Sequence, residues 1–208
     1  LAHSRIALRV EAASGASTCP TKRTADVDED LLALGPRPTC SDVQGVLAGV
    51  LRQWRSNPKL PTRCLIGLAR AGLPHVAVAT LEVLRRTGCQ VNVFHYAAAI
   101  SACEKGRQWE EALALLGAMS SDMVTANTVA CSAAISACEK GRQWGIAVEI
   151  LRSMPAMSVE RDAITYSASI SACEKSAQWR MALWLLASMV AEEVEPHVMT
   201  YNAAISAC

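Results

Sequence analysis

No stretch of this 208-residue chain is apolar for long enough to cross a bilayer. The longest strongly apolar run, from Met181 to Ala191, is about half the roughly 20 residues that a spanning helix requires. Neither sign of charge dominates. Twenty basic residues against nineteen acidic ones leave a formal net charge of +1, so global charge gives no argument for a nucleic-acid partner and any basic surface has to come from local arrangement. Extensive disorder is excluded from the other side. Hydrophobic residues make up 51% of the chain and mean hydropathy is +0.20, whereas a mainly disordered chain has few apolar residues and a large net charge.

Catalytic motifs are missing as well. The chain has no Gly-x-Ser-x-Gly, no phosphate loop ending in Gly-Lys-Ser/Thr and no His-Glu-x-x-His. His3, His75, His95 and His197 are scattered, with no acid–cysteine or acid–serine constellation beside them. The expectation is a non-enzyme that needs no cofactor, any catalytic domain lying beyond Cys208. Nine cysteines without a secretory signal argue for a reducing compartment. Zinc sites begin with cysteines two to four residues apart, and none here has that spacing. Cys131 and Cys138 are seven residues apart, two turns along one helix face. These thiols read as packing groups.

What is present is a repeat. Ile100-Ser-Ala-Cys-Glu-Lys-Gly-Arg-Gln-Trp109 returns unchanged as Ile135 to Trp144, and again from Ile170 to Trp179 with Ser176 and Ala177 in place of Gly and Arg. It begins a fourth time at Ile205 and stops at Cys208; the period is 35 residues throughout. Such self-similarity marks a stacked array. Within each period the apolar spacing is helical twice over. Tyr96, Ala99, Ile100 and Cys103 form one face, and Trp109, Ala112, Leu113, Leu116 and Met119 form a second, with Glu110 and Glu111 in its first turn. Gly106 and Gly141 are expected to end the first helices in a left-handed conformation. Each unit is then a helical hairpin that cannot bury both apolar faces alone and must stack on its neighbours.

Running the period backwards recovers a weaker unit from Pro58 to Asn92, with Ala71-Gly72 at its turn and Pro74 in the first turn of its second helix. Upstream, Ser41 is placed to cap a degenerate helix reaching Arg55, within 41–57, with Val43, Val46, Leu47, Val50, Leu51 and Trp54 on one stripe. Residues 1–40 read as an irregular linker, and 1–18 have a composition compatible with an organelle transit segment. The chain starts at Leu1 and stops inside a unit, so it reads as a fragment.

The 35-residue hairpin, the Thr200-Tyr201-Asn202 opening of a unit and the Ala-Leu…Met second helix resemble the pentatricopeptide repeat family. The resemblance covers units 58–92, 93–127, 128–162 and 163–197 and the truncated 198–208. Tetratricopeptide repeats differ in their 34-residue period and their Trp-x-x-Leu-Gly-x-x-Tyr first helix, which is absent here. The resemblance implies an all-α fold, a right-handed superhelical solenoid of antiparallel helical hairpins. It also implies sequence-specific binding of single-stranded RNA in mitochondria or chloroplasts, in RNA processing, stability or translation, with other RNA-processing proteins as further partners and no membrane.

By that resemblance the fifth and last residues of each unit discriminate a base: Thr62 with Asn92, Ala97 with Asn127, Ser132 with Asp162, and Ser167 with His197. Asn202 opens a further pair. Thr/Asn then resembles an adenine reader, Ser/Asp a guanine reader, and Asn202 a pyrimidine reader; Ala97 and the Ser167/His197 pair depart from the usual combinations. Short hydroxyls and amides suit the donor–acceptor edges of unpaired bases. The second residues, Phe94, Val129, Ile164 and Met199, would pack on base faces, with Lys59 the exception; solenoid packing explains apolar residues there equally well. Arg70, Lys105, Lys140 and Lys175 would form a row on the phosphates, against the plainer reading of solvated surface charge. Trp109, Trp144 and Trp179 read as packing between neighbouring units, and Trp54 and Trp184 as fillers of local gaps. The alternative function is a protein-binding helical-repeat scaffold, which needs neither the cation row nor the polar pairs.

Overall fold

The computed structural model describes residues 24–35 and 38–208. The transit-segment reading at 1–18 lies outside the described residues. Among the described residues there is no strand. The helices are α1 (Thr24–Leu32), α2 (Cys40–Leu47), α3 (Leu51–Ser56), α4 (Lys59–Ala71), α5 (Pro74–Arg86), α6 (Val93–Lys105), α7 (Trp109–Ser121), α8 (Thr128–Lys140), α9 (Trp144–Ser153), α10 (Ala163–Lys175), α11 (Trp179–Ala191) and α12 (Val198–Ser206). From α4 onward they pair as hairpins and build a helical-repeat solenoid. First helices stack on first helices in the order α4, α6, α8, α10, α12, and each second helix lies on the first helix of its own unit and of the next.

The core follows from the repeated sequence. Tyr96, Ala99, Ile100 and Cys103 are fully buried, as are Cys131, Ala134, Ile135 and Cys138 one period later. Fully burying an Ile side chain is worth about 1.5–3 kcal/mol, and the small Ala, Ser and Cys residues around it let adjacent first helices approach closely. Burial also disarms the thiols. Desolvation pushes Cys103 up to about 12 and Cys131, Cys138 and Cys173 up to about 11, far from a reactive thiolate.

Helix exits are uniform and overturn one expectation. Gly106 and Gly141 are right-handed, with φ of −76° and −84°. The left-handed residue is the next one: Arg107 at 59°, Arg142 at 56° and Ala177 at 53°, with Gly72 at 69° in the equivalent place of the first unit. Each exit carries the paired bonds of a Schellman motif, for example Gln108 N–H to the Cys103 carbonyl at 2.9 Å and Arg107 N–H to the Glu104 carbonyl at 3.2 Å. Gly106 and Gly141 are glycines for space. A Cβ on Gly106 would lie 2.4 Å from Cγ of Pro74, and one on Gly141 would lie 2.4 Å from Cδ1 of Trp109.

Other expectations also change. The helix capped by Ser41 is two helices; Thr39 is the cap, in a reciprocal capping box with Asp42, and the chain breaks at Ala48–Val50 before α3. Within the supposed linker, α1 packs on α4, while α2 packs on α5. In α7 the buried residues are Ala112, Leu115 and Met119, while Leu113 and Leu116 are half-buried. Trp109 and Trp144 are half-buried against the core, and Trp179 is 46% exposed. Trp54 fills the core, whereas Trp184 is exposed beneath the Arg152 guanidinium, 4.9 Å from its ring centre. Pro155 ends α9 early and a single 3₁₀ turn, Pro155–Met157, carries the chain to a left-handed Ser158, in the place where Gly88, Met123 and Glu193 are left-handed after the other second helices.

Candidate nucleic-acid interface

The first helices begin at the last residue of the preceding unit. Asn92, Asn127 and Asp162 are their N-caps. Oδ1 of Asn92 accepts from the Phe94 and His95 amides at 3.0 and 3.2 Å, that of Asn127 from Ala130 at 2.9 Å, and that of Asp162 from Thr165 at 2.9 Å. The helix start therefore explains an Asn or Asp at this place without a ligand. It also holds each side chain in one orientation, with the side-chain N–H groups of Asn92 and Asn127 and Oδ2 of Asp162 making no hydrogen bond among the described residues. His197 occupies the same position, exposed and without a capping bond. The Asn92 cap is closed by His95. Its Nδ1 accepts from the Asn92 amide at 3.1 Å while Nε2 donates to the Pro58 carbonyl at 3.0 Å, so the ring is neutral, and burial lowers its pKa.

The fifth residues are less uniform. Thr62 Oγ1 donates to the Pro58 carbonyl at 2.9 Å and Ser132 Oγ to the Val129 carbonyl at 3.0 Å. Ser167 Oγ lies 2.6 Å from Thr200 Oγ1 of the next unit. Ala97 is buried and Asn202 exposed. By contrast, the second residues stand clear of the core: Phe94, Val129, Ile164 and Met199 are 62%, 60%, 64% and 75% exposed. Stacking between units leaves most of each residue uncovered, so burial alone does not account for an apolar residue there. At the first unit the structure brings several of the predicted groups together. Thr62, Asn92 and Phe94 line one cleft with Lys59, Arg63 and Ile66, with a volume of about 450 Å³.

The opposite ends of the first helices carry the cations, and the row divides in two. Lys140 Nζ donates to Glu104 of the preceding unit at 2.9 Å, and Lys175 Nζ to Glu139 at 2.6 Å. Lys105 and Arg70 are exposed and have no ion-pair partner among the described residues. The residue one period before Glu104 is Ala69, which leaves Lys105 nothing to bond. The Glu–Lys dipeptide of every copy was visible in the sequence; its partner across the stack, 36 residues away, was not. Arg63, i+4 from Lys59 on the same helix face, also escaped the sequence reading.

A second polar network ties units together elsewhere. Arg85 grips Asp122 through Nε at 2.7 Å and a second guanidinium nitrogen at 2.8 Å, and Tyr96 Oη donates to the same carboxylate at 2.6 Å. Arg85 and Tyr96 hold the Asp122 carboxyl below the usual carboxylate range. Arg161, Glu192 and Tyr166 repeat the arrangement two units on. Among the described residues no cluster of His, Cys, Asp and Glu is placed to hold a metal ion, and no helix is long and apolar enough to cross a membrane.

Comparison with known proteins gives a consistent result. A family model described as pentatricopeptide repeat-containing protein matches residues 63–143, and a pentatricopeptide repeat domain model matches residues 149–208. Among solved structures, the chain is similar to the pentatricopeptide repeat domain of Arabidopsis thaliana protein-only RNase P 1 in complex with tRNA. Identity is 18% and the TM-score 0.63, over 70% of this chain and 77% of that one. It is also similar to the pentatricopeptide repeat protein PPR10 in complex with an 18-nucleotide psaJ RNA element, at 21% identity and TM-score 0.64, over 88% of this chain. The PPR10 structure from maize is similar at 19% identity and TM-score 0.58. This chain spans 29% of PPR10 in the RNA complex and 32% in the maize structure. No curated protein sequence matches.

Proposed function

This chain belongs to the pentatricopeptide repeat family, and on that footing we propose that it binds single-stranded RNA along the layer of its first helices and performs no catalytic step itself. The observation that carries the reading is the column of Phe94, Val129, Ile164 and Met199, each more than half exposed at one residue per unit. An apolar side chain that stacking leaves bare, beside a fixed polar cap, suits a base whose face needs cover and whose edge needs a partner. Structures of the fold in complex with tRNA and with an RNA element support the ligand class.

In this reading the pairs Thr62/Asn92, Ala97/Asn127, Ser132/Asp162 and Ser167/His197, with Asn202, discriminate bases. The proposed setting is RNA processing, stability or translation in mitochondria or chloroplasts, with other RNA-processing proteins as partners. Selection from a randomised pool of short single-stranded RNAs, followed by sequencing, tests it. The expected enrichment is adenine at the Thr62/Asn92 register and guanine two positions on, at Ser132/Asp162. Ser132→Asn should move that position toward uracil. No retention at low salt would remove RNA binding and bring the peptide-scaffold reading forward.

A further inference from the structure

Charge on the stacked first helices is far from even. Helix α4 carries Lys59, Arg63, Ile66 and Arg70 at i, i+4, i+7 and i+11, one exposed stripe, and contains no acid. The equivalent stripe of α6 is Phe94, Ala98, Ser101 and Lys105, and α8 and α10 follow its pattern. Those later helices each place a Glu beside their Lys, and the Glu of one unit bonds the Lys of the next. Lys59, Arg63 and Arg70 have no ion-pair partner among the described residues, and neither has Lys105. The acidic helix α1 lies on another side of α4, where Asp28 faces buried Cys64.

Geometry adds to charge. Lys59, Arg63 and Ile66 line the 450 Å³ cleft that also holds Thr62, Asn92 and Phe94. The stripe therefore runs from an apolar recess to Arg70, in the row of Lys105. We infer that a bound RNA strand is anchored at the start of the array: Lys59, Arg63 and Arg70 of unit 58–92 and Lys105 of the next unit take its phosphates, while Lys140 and Lys175, neutralised across the stack, add little of the electrostatic affinity and their units contribute base contacts. This rests on the RNA-binding reading and names where on the array the strand is held.

The test compares two neutralised proteins by anisotropy of a short fluorescein-labelled oligoadenylate across a salt series. One carries Lys59→Gln, Arg63→Gln and Arg70→Gln. The other removes both ladder pairs as Lys140→Gln with Glu104→Gln and Lys175→Gln with Glu139→Gln. Single strands lose about 0.7 of log–log salt slope per phosphate contact, so the first protein should lose about 2 and the second almost nothing. A third variant, Glu104→Gln with Glu139→Gln, frees Lys140 and Lys175 and should steepen the slope. Equal loss in the first two proteins, or no steepening in the third, overturns the anchor while leaving RNA binding intact. Wild-type protein that ignores the RNA at low salt overturns both readings, as does equal competition by polyglutamate, which points to an acidic peptide. All substituted side chains are partly or fully exposed, and an unchanged urea midpoint shows that the fold is retained.

Discussion

Helix α4 and the three first helices after it hold equivalent places in the stack, yet they treat their surface differently. In α6, α8 and α10 the exposed end is Glu-Lys, and the ladder from Glu104 to Lys140 and Glu139 to Lys175 turns charge inward, between units. In α4 Ala69 and Arg70 stand in those places and the cations stay free. Glycine shows the same division. Gly72 has open space around it and is left-handed at 69°, so glycine there serves conformation. Gly106 and Gly141 are right-handed and serve close approach, while the left-handed position beside them is filled by Arg. The near-identical copies are shaped by contact with the unit before them; the divergent unit is shaped by backbone economy and leaves its charge for a partner.

The largest expected effect breaks that contrast at the glycines. Gly141→Ala drives a methyl into the Trp109 ring, and Gly106→Ala drives one into the rigid Pro74 ring. Each should lower unfolding free energy by about 1–3 kcal/mol in urea titration, the range for overpacking. Trp109→Leu should recover part of the first loss and none of the second. Loss of similar size at Gly106 in a Pro74→Ala background would remove the close-approach argument.

Next is the carboxylate that joins units. Asp122→Ala leaves the Tyr96 hydroxyl without its acceptor and the Arg85 guanidinium with Glu82 alone, at 3.0 Å. A cost of about 1–2 kcal/mol is expected, below the full charged hydrogen-bond value because Arg85 is partly solvated. Its pH dependence has a definite sign. The folded carboxyl is held below its unfolded value, so the stabilisation is present above about pH 4 and fades as pH falls toward the folded pKa. The wild type should lose stability in that acid range more steeply than Asp122→Ala. The middle unit has Cys131 and Met157 at the tyrosine and acid positions, and Met157→Ala should leave the acid limb unchanged.

Much of this architecture was legible in the sequence because the period is long and strict. Ile100, Ile135 and Ile170, with the cysteines three residues on, announce a buried helical face, and all are buried. The Asn92, Asn127 and Asp162 that close the first three units could be read as caps by residue type alone. Helix α1 was hidden because Val27 and Leu31 are the buried apolar pair among four acids, too thin a stripe to stand out. The left-handed residues were misplaced by one because glycine normally marks such a turn, and here a neighbouring ring claims the glycine. The ladder and the cleft join residues that only stacking brings together, such as Thr62 with Phe94, and no local pattern encodes the distance.

A smaller effect of opposite sign follows from the misplaced turn. Ala177 is held at φ 53°, where an L-residue is strained and glycine is not. Ala177→Gly should raise the urea midpoint, by about 0.5–1 kcal/mol in free energy, and make that exit resemble the one at Gly72. A loss instead would mean that entropy in the unfolded chain outweighs the relief.

The ladder itself should matter least to stability, and this separates its two possible uses. Lys140 and Glu104 are each partly exposed, 31% and 23%, and Lys175 with Glu139 is exposed at 45% and 18%. Such pairs contribute about 0.2–1 kcal/mol, screened by salt, because solvent competes for both charges and two long side chains must be ordered. A double-mutant cycle with Lys140→Gln and Glu104→Gln should therefore give a coupling of about 0.5 kcal/mol or less, vanishing at high salt. The same cycle read by RNA binding should show a larger coupling, since Glu104→Gln alone frees a cation and Lys140→Gln alone leaves an acid facing the strand. A stability coupling above about 2 kcal/mol that persists in high salt would make the ladder a structural clamp, and the neutrality of the later units a by-product of holding the stack together.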